Sequence, residues 1–436
     1  MYPTIQRKGF SEMKLAASGF RLVLLGLIGL SACSGGTSST STGPGTTTQT
    51  FTVQLSPETS LLSDAQRASL GFAFGPPDGT IGVLLNAGTY SFFVPARSST
   101  ACAGTPSTEG TYRLGGSLTA FNSSYGCTAL ISPATSDPNG YSFDRDYSGG
   151  GPVLPVVSSA GAPGVIHIYH GEYHGGICKS TTVCFYASLG MAISTDGGNT
   201  FRKLGEIVQP YPTRNSVINA GTNLDIGGGT LILADTNGEH IANVLAADPT
   251  TVYVYVFFPD QDSTAAASGT CNTSVCIAVA RARLSDVLTA AFTGDTAAFP
   301  ALFMKYYQGG WTQPATSGDP NAALNSGHYS PVVTTNGSFP SVLWDNATQQ
   351  WVMAYTRDNN SVEIVHGSTL LSWSAPVPTG EIMDGNDALL YTTLVGEGSD
   401  PTTSNGSPWL FYVTSPTWPD WSTATVINRR ATLSWQ

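Results

Sequence analysis

Hydrophobic residues along the chain fall into short runs that are typical of β-strands. Clear examples, separated by Gly, Pro, Asn and Asp, are 164–169 (GVIHIY), 251–258 (TVYVYVFF), 351–355 (WVMAY) and 408–413 (PWLFYV). Such β-branched and aromatic runs, bounded by turn-forming residues, favour strands. Amphipathic helical patterns are scarce, and the best short candidates are 63–73 and 284–292. The pattern therefore predicts an all-β protein.

A loose repeat organises these strands into modules. Segments 152–208, 230–286, 338–378 and 388–434 each contain three or four predicted strands. An earlier strand-rich stretch, 72–131, could supply a fifth module or a separate small domain. Short strands alone would also fit a sandwich or a barrel, but repeated modules of this kind are typical of β-propeller blades. We predict a propeller, most simply one with five blades.

The first 32 residues have the pattern of an export signal. Lys14 and Arg21 precede the apolar run 22–30 (LVLLGLIGL), which is too short for a bilayer core that needs roughly 20 residues. The run ends in Leu30-Ser31-Ala32-Cys33, which resembles the bacterial lipobox. The resemblance implies cleavage before Cys33 and lipidation of its thiol. The alternative is an ordinary signal peptide with a chance cysteine.

The segment that follows predicts a flexible tether. Residues 33–50 are almost entirely Ser, Thr and Gly and cannot bury apolar surface. Ser34 follows Cys33 in place of an Asp, which by resemblance favours the outer membrane of a Gram-negative cell. The mature chain is then divided into a β-rich N-terminal region, 51–135, and a propeller, 136–436.

The cysteines agree with an oxidising compartment. Of the seven, six remain after Cys33, and they lie in three local pairs: Cys102/Cys127, Cys178/Cys184 and Cys271/Cys276. Short spacing favours disulfides between neighbours, although six cysteines allow fifteen connectivities. A zinc site is the competing interpretation, but no CxxC motif occurs and the pairs lie far apart in the sequence.

Composition and net charge limit the kinds of partner that we expect for this protein. The 436 residues carry a net charge of −11, and only 11% of them are charged. An acidic balance argues against a protein that follows nucleic-acid phosphates. The apolar fraction of 41% is enough for a core and argues against wholesale disorder. We expect carbohydrate as the partner, contact with a membrane through the lipid anchor only, and a monomer.

The segment 194–201 (STDGGNTF) resembles the Asp-box, S-x-D-x-G-x-T-[FW], in every defined position. Gly supplies the positive φ of a tight hairpin, and Asp can accept hydrogen bonds from its own turn. In sialidases and other propellers this motif is a structural blade turn, usually on the face away from the ligand. Asp196 is therefore not a catalytic candidate.

Several segments resemble five-bladed propeller glycoside hydrolases of families 43, 32 and 68, and secreted propellers related to them. They are 339–356 (FPSVLWDNATQQWVMAYT), 370–376 (LLSWSAP), 169–176 (YHGEYHGG), 185–207, 303–315 and 427–435. The resemblance covers roughly residues 136–436. It implies a propeller that binds glycans and could hydrolyse them with a pair of carboxyl groups.

Glycoside cleavage needs two carboxyl groups flanking one bond. In a propeller, acids beside the starts of inner strands can meet near the axis. The catalytic candidates on this basis are Asp146, Glu172, Asp235 and Asp260, with Asp144, Glu239, Asp262 and Asp345 as weaker ones. The alternatives are a turn acid paired with Arg145 for Asp146, a hairpin acid for Asp345, and turn residues or calcium ligands for Asp260 and Asp262.

Other residue types suggest how a glycan could be held. His170 and His174 flank Glu172, and alternate residues of a strand share one side, so the three could recognise hydroxyl groups together. Arg214 could bind a carboxylated sugar, although a lone Arg is often structural. Trp311 and Trp418 lie in Gly- or Pro-flanked loops and could stack on sugars.

Two rival functions stay open. One is a non-catalytic propeller that binds polysaccharide or protein at the cell surface. The other is a structural propeller stabilised by calcium, which would cluster carboxylates around oxygen-rich turns. A metal site at His170, Glu172 and His174 would lack a further ligand, so no metal and no cofactor other than structural calcium is assigned.

Overall fold

The computed structural model describes residues 49–62, 64–70, 72, 79–86, 88–97, 109–124, 126, 128–133, 143–177, 183–268, 270–271, 273, 275–294, 296, 299–317, 326–382, 388–415 and 424–436. Over these residues the strands form five sheets arranged as the blades of a β-propeller. The predicted all-β, five-bladed fold is confirmed.

Strands are numbered in chain order, and two of them, β1 (Phe51–Leu55) and β2 (Thr59–Leu62), precede the first blade. Blade 1 consists of β3 (Gly82–Asn86), β4 (Thr89–Arg97), β5 (Glu109–Ser117) and β6 (Ala120–Ser124). Blade 2 consists of β7 (Tyr147–Gly149), β8 (Val153–Val157), β9 (Pro163–Ile177), β10 (Val183–Ser194) and β11 (Arg202–Val208), with β7 and β8 both paired to β9.

Blade 3 consists of β12 (Thr230–Ala234), β13 (Tyr253–Asp260), β14 (Cys276–Arg283), β15 (Met304–Tyr307) and β16 (Gly310–Pro314). Blade 4 consists of β17 (Gly337–Asp345), β18 (Gln350–Arg357), β19 (Ser361–Gly367) and β20 (Val377–Ile382), joined by β22 (Thr403–Ser404), which runs parallel to β17. Blade 5 consists of β21 (Ala388–Val395), β23 (Trp409–Ser415) and β24 (Thr425–Trp435), joined by β1 and β2.

Helices are few and short in the described part of the chain. The α-helices are α1 (Asp64–Ser69), α2 (Arg214–Asn219) and α3 (Leu284–Thr293), and the 3₁₀ turns are Val244–Ala246, Ser263–Ala265 and Phe299–Leu302. The helix predicted at 284–292 is confirmed as α3, which ends at Gly294 in the left-handed conformation. Of the described residues in the candidate at 63–73, Asp64–Ser69 are helical.

The apolar core lies between the blades. On β12, Leu231 and Leu233 pack with blade 2, whereas Ile232 packs with blade 4. Further apolar clusters join blade 4 to blade 5, blade 5 to blade 1, and blade 1 to blade 2. Because neighbours cover both faces of a blade, its central strands are continuous apolar runs such as 251–258 rather than alternating ones.

The ring is closed by the N-terminal strands. β1 pairs antiparallel with β24, with Phe51 opposite Trp435, and β2 pairs with the earlier part of β24. Phe51 is 5% exposed, and its ring stacks on His366 at a centroid distance of 4.1 Å. Blade 5 is therefore built from both ends of the described chain.

The cysteine prediction is confirmed for one pair. Cys271 and Cys276 form a disulfide with an S–S distance of 2.02 Å. Cys184 is also disulfide-bonded, whereas Cys33, Cys102, Cys127 and Cys178 lie outside the described residues. None of the helices in the described residues has the length and apolar character needed to cross a membrane.

We expect Phe51→Ala to lower the free energy of unfolding by roughly 3 kcal/mol, because it removes a large buried ring from the closure between β1 and β24. Urea denaturation measures the effect. Gln54→Ala on the exposed side of the same strand serves as the control and should change little. Equal stability of Phe51→Ala and the wild-type protein would show that closure does not depend on this contact.

Candidate functional site

The five inner strands, β3, β8, β12, β17 and β21, define two faces of the ring. We call the end where they begin the upper face and the end where they finish the lower face. Hydrogen bonds join neighbouring blades: Gly151 N donates to Thr80 O at 2.9 Å, and Leu394 N donates to Ser341 Oγ at 2.8 Å. The cavity between the inner strands is lined by aliphatic, Pro, Ser and Thr residues, with no carboxyl group among them. Carboxyl groups that meet near the axis must therefore lie at a face.

Glu172 lies at the upper face. It sits on β9 opposite Tyr147 of β7, which precedes the inner strand β8. Its Oε2 lies 2.5 Å from His174 Nε2, and its Oε1 lies 3.4 Å from His170 Nε2. The alternation predicted from the sequence thus places His170, Glu172 and His174 together on one side of β9. The Glu172 side chain is 2% exposed, against 14% for His170 and 30% for His174.

Asp225 is a second carboxyl group at the same place, and the sequence analysis missed it. It precedes the inner strand β12, and its Oδ1 lies 3.7 Å from His170 Nε2. Its side chain is 25% exposed, and its Oδ1 accepts a hydrogen bond from Gly227 N at 2.5 Å. The signal is present in the sequence, since Asp225 is an acid just before an apolar strand start, but three glycines follow at 227–229, and glycine runs are typical of tight turns.

Two glycines let this cluster pack closely. A Cβ atom on Gly227 would lie 2.3 Å from His170 Nδ1, and one on Gly228 would lie 2.3 Å from Cδ1 of Phe339. Gly228 also has a φ of +77°, which glycine adopts at little cost. The chain can therefore pass between the imidazole of His170 and the ring of Phe339 only without side chains.

Asp146 and Asp144 are held by neighbouring cations. Asp146 accepts from Arg145 Nε at 3.0 Å and from the backbone N–H of His174 at 2.6 Å. Asp144 is buried and pairs with Lys203. The alternative interpretation of Asp146, a turn acid paired with Arg145, matches this geometry.

Arg214 is 2% exposed and packs its guanidinium over the ring of Tyr173 at 3.8 Å. Arg145 covers the same ring at 4.0 Å. Burial lowers the pKa of Arg214, although Tyr173 and Glu206 oppose this. In this arrangement Arg214 supports Tyr173, and the described geometry does not present it to a ligand.

Two predicted acids lie at the lower face and do not meet Glu172. Asp235 follows the end of β12 and accepts from the backbone of Asn237 at 2.8 Å and of Glu239 at 2.7 Å. Asp345 ends β17, is fully buried, and accepts from Thr348 N at 2.9 Å. Both carboxylates therefore accept hydrogen bonds from the backbone of their own turns.

Asp196 also lies at the lower face, in the hairpin between β10 and β11. It accepts from Thr200 N at 2.9 Å and from Ser194 Oγ at 2.7 Å. Slight burial would raise its pKa, but the hydrogen bonds from Thr200 and Ser194 lower it to about 2. These contacts fit a structural role.

Asp260 is fully buried, and its Oδ2 lies 3.9 Å from Nζ of Lys305, which is equally buried. Burial raises the pKa of Asp260 to about 6 although Lys305 opposes the shift, and burial lowers the pKa of Lys305. Its neighbour Asp262 caps a 3₁₀ turn by accepting from Thr264 N at 3.0 Å. Asp260 thus has an ionic partner in the core and no exposed surface for a substrate.

Of the two tryptophan candidates, Trp311 lies in the part of the chain that the structure describes and Trp418 does not. Trp311, on the outermost strand of blade 3, lies under the guanidinium of Arg281 at 4.2 Å and against Tyr255. This outer strand is remote in the sheet from the inner strand β12. Trp418 lies outside the described residues.

No group of three or more His, Cys, Asp or Glu side chains in the described ranges has the arrangement of a metal site. The calcium expectation at Asp260 and Asp262 therefore stays a prediction.

No protein-family model matches the chain, and no curated protein matches it. Similar solved structures include a family 117 glycoside hydrolase from the marine bacterium Zobellia galactanivorans, with a TM-score of 0.45 and 8% identity over 88% of this chain and 90% of that one. A glycosyl hydrolase from Bacteroides ovatus gives a TM-score of 0.43 and 10% identity over 82% and 85%.

An exo-β-1,3-galactanase from Phanerochaete chrysosporium gives a TM-score of 0.41 and 9% identity over 82% of this chain, which spans 63% of that protein's length. Similarities at these levels assign no residue and no substrate.

Burial raises the pKa of Glu206 from 4.5 to about 7, so we expect the contribution of this residue to the free energy of unfolding to fall as the pH rises from about 4.5 to above 7, whereas buried His167, whose pKa burial lowers to about 3, contributes in the opposite direction. The folded state keeps a proton on Glu206 that the unfolded chain releases, so the stabilisation present at low pH is lost as the pH passes the folded pKa. The loss from Glu206 is up to roughly 3 kcal/mol. Asp260 contributes in the same direction as Glu206.

Glu206→Gln should remove this contribution, so that its free energy of unfolding at pH 8 relative to pH 5, measured by urea denaturation, is higher than the same difference in the wild-type protein. Glu239→Gln, at an exposed position, is the matched control and should keep the wild-type dependence. An unchanged pH profile in Glu206→Gln would contradict the assignment.

Proposed function

We propose that the protein binds a glycan at the upper face and hydrolyses a glycosidic bond there, with Glu172 and Asp225 as the carboxyl pair. One observation carries the proposal: His170 Nε2 lies 3.4 Å from Glu172 Oε1 and 3.7 Å from Asp225 Oδ1. The two carboxyl oxygens are therefore no further apart than the sum of these distances. Glycosidases hold their carboxyl groups roughly 5–9.5 Å apart, so this pair is close enough to flank one bond.

The two carboxyl groups have different environments, which supports different roles. Hydrolysis needs one group to give a proton to the leaving oxygen and the other to act as base or nucleophile. Asp225, the more exposed at 25%, takes the second role. Glu172 takes the first, and His174, 30% exposed and 2.5 Å from Glu172 Oε2, connects it to solvent for proton exchange.

A second candidate function is glycan binding without cleavage. The observation that favours it is the burial of Glu172, whose side chain is 2% exposed with an imidazole facing each oxygen. In that case Asp225, His170 and His174 would hydrogen-bond sugar hydroxyls, and no bond would be cleaved. Both candidate functions predict glycan binding. Only a measurement of glycan hydrolysis therefore distinguishes them.

Glu172→Gln and Asp225→Asn should each lower the rate of hydrolysis by roughly 10²- to 10⁴-fold, because each removes an acid or a base. The measurement is reducing-end release from a panel of neutral polysaccharides. Asp235→Asn, on the lower face, is the matched control and should retain the wild-type rate. Wild-type activity in either site variant would exclude the carboxyl pair, and binding without turnover by the wild-type protein would favour the second candidate.

We also propose that the propeller is held at the outer membrane by a lipid on Cys33 and the tether 33–50. This rests on the lipobox-like sequence alone, since residues 33–48 lie outside the described part.

In a bacterial host, the protein should incorporate a labelled fatty acid and fractionate with membranes, because the acyl chains of a diacylglycerol group, joined to the Cys33 sulfur by a thioether bond, hold the attached chain at the bilayer. Cys33→Ser should lose the label, whereas Cys271→Ser should keep it. Labelling of Cys33→Ser would contradict the anchor.

A further inference from the structure

Two aromatic residues of the inner strands have an unusual backbone conformation. Six non-glycine residues in the described ranges have a positive φ: Gln308, Phe339, Gln349, Asp358, Asn359 and Tyr391. Four of them lie in turns between strands. Phe339, with a φ of 54°, lies within β17, and Tyr391, with a φ of 58°, lies within β21.

Irregular pairing at both places accounts for the conformation. The register of β17 against β18 shifts between Ser338 and Ser341, and that of β21 against β23 shifts between Leu390 and Thr393. Such bulges turn a side chain out of its normal direction and are frequent next to active sites. The hydroxyl of Thr392 donates to the carbonyl oxygen of Phe339, so the two bulges are joined.

The result is a pair of partly exposed rings in edge-to-face contact. The ring centroids of Phe339 and Tyr391 are 4.5 Å apart with an interplanar angle of 63°. Bulky residues are genuine outliers in the left-handed region. Glycine would remove the strain at either position, so the conformation is kept at a cost to stability. Strain of this kind clusters at ligand-binding sites.

The pair continues the candidate site. Gly228 packs on the ring of Phe339 and its neighbour Gly227 packs on the imidazole of His170. His170, the two glycines, Phe339 and Tyr391 therefore form one wall across blades 2, 3, 4 and 5. The ionisable groups at its His170 end are the carboxyl groups of Glu172 and Asp225.

We propose that Phe339 and Tyr391 are a stacking wall for one residue of a neutral pyranose glycan. The inference rests on the proposed function and deepens it by naming the substrate class. Aromatic faces bind the C–H-rich face of a pyranose ring. The edge-to-face pair presents two apolar surfaces at an angle, against which such a ring can pack. Uronic acids are disfavoured, because the nearby carboxylate of Asp225 repels a second carboxylate, and Arg214 is packed on Tyr173.

The binding test uses neutral gluco-, galacto- and manno-oligosaccharides with oligogalacturonate as the charged comparison, measured by titration calorimetry. Phe339→Ala and Tyr391→Ala should each weaken binding of the preferred neutral oligosaccharide at least roughly tenfold. Phe339→Tyr should restore most of the affinity. Trp435→Ala, an exposed aromatic at the lower face, is the control and should bind as the wild-type protein does.

A second measurement separates lost contacts from misfolding. Because glycine tolerates a positive φ, Phe339→Gly should have a higher urea midpoint than Phe339→Ala while losing the same affinity. If the glycine variant is the less stable, the strain argument is overturned.

The outcomes also separate this wall from the proposed function. Tight binding by Glu172→Gln together with weak binding by Phe339→Ala supports the wall. Unchanged affinity in both alanine variants overturns the wall and leaves the hydrolase proposal standing. Preference for oligogalacturonate overturns the neutral-substrate inference, and absence of binding by the wild-type protein to every probe overturns both proposals.

Discussion

The structure depends on covering both apolar faces of every blade. Leu231 and Ile232 are adjacent in β12, yet they pack against different neighbouring blades. A single blade would expose both faces to water, and each end blade of an open row would expose one. Pairing of β1 with β24 closes the ring, so that no blade is left with an uncovered face.

Closure of the ring determines which side chains come together at the upper face. Glu172 comes from β9, Asp225 from the segment before β12, and Phe339 and Tyr391 from bulges in β17 and β21. None of these four is a neighbour of another in the sequence. The narrow, uncharged cavity between the inner strands leaves the face as the place where a ligand can meet acidic and aromatic groups together.

Most acids beside strand ends have a structural use. Asp146 accepts from Arg145 and the backbone of His174, Asp235 accepts from its own hairpin, and Asp345 accepts from Thr348. A carboxylate is an effective partner for unpaired backbone N–H groups in a tight turn. Glu172 differs, because its oxygens face side-chain imidazoles of its own strand rather than a turn.

The sequence by itself determined the strands, the blade modules, helix α3 and the shared side of His170, Glu172 and His174, because these follow from local periodicity and propensity. It could not identify Asp225 as the neighbour of His170, nor show that Asp260 is buried against Lys305. The sequence likewise could not show that Phe339 and Tyr391 adopt a left-handed backbone conformation. Each of these depends on which blades lie side by side, and that contact is decided only when the ring closes.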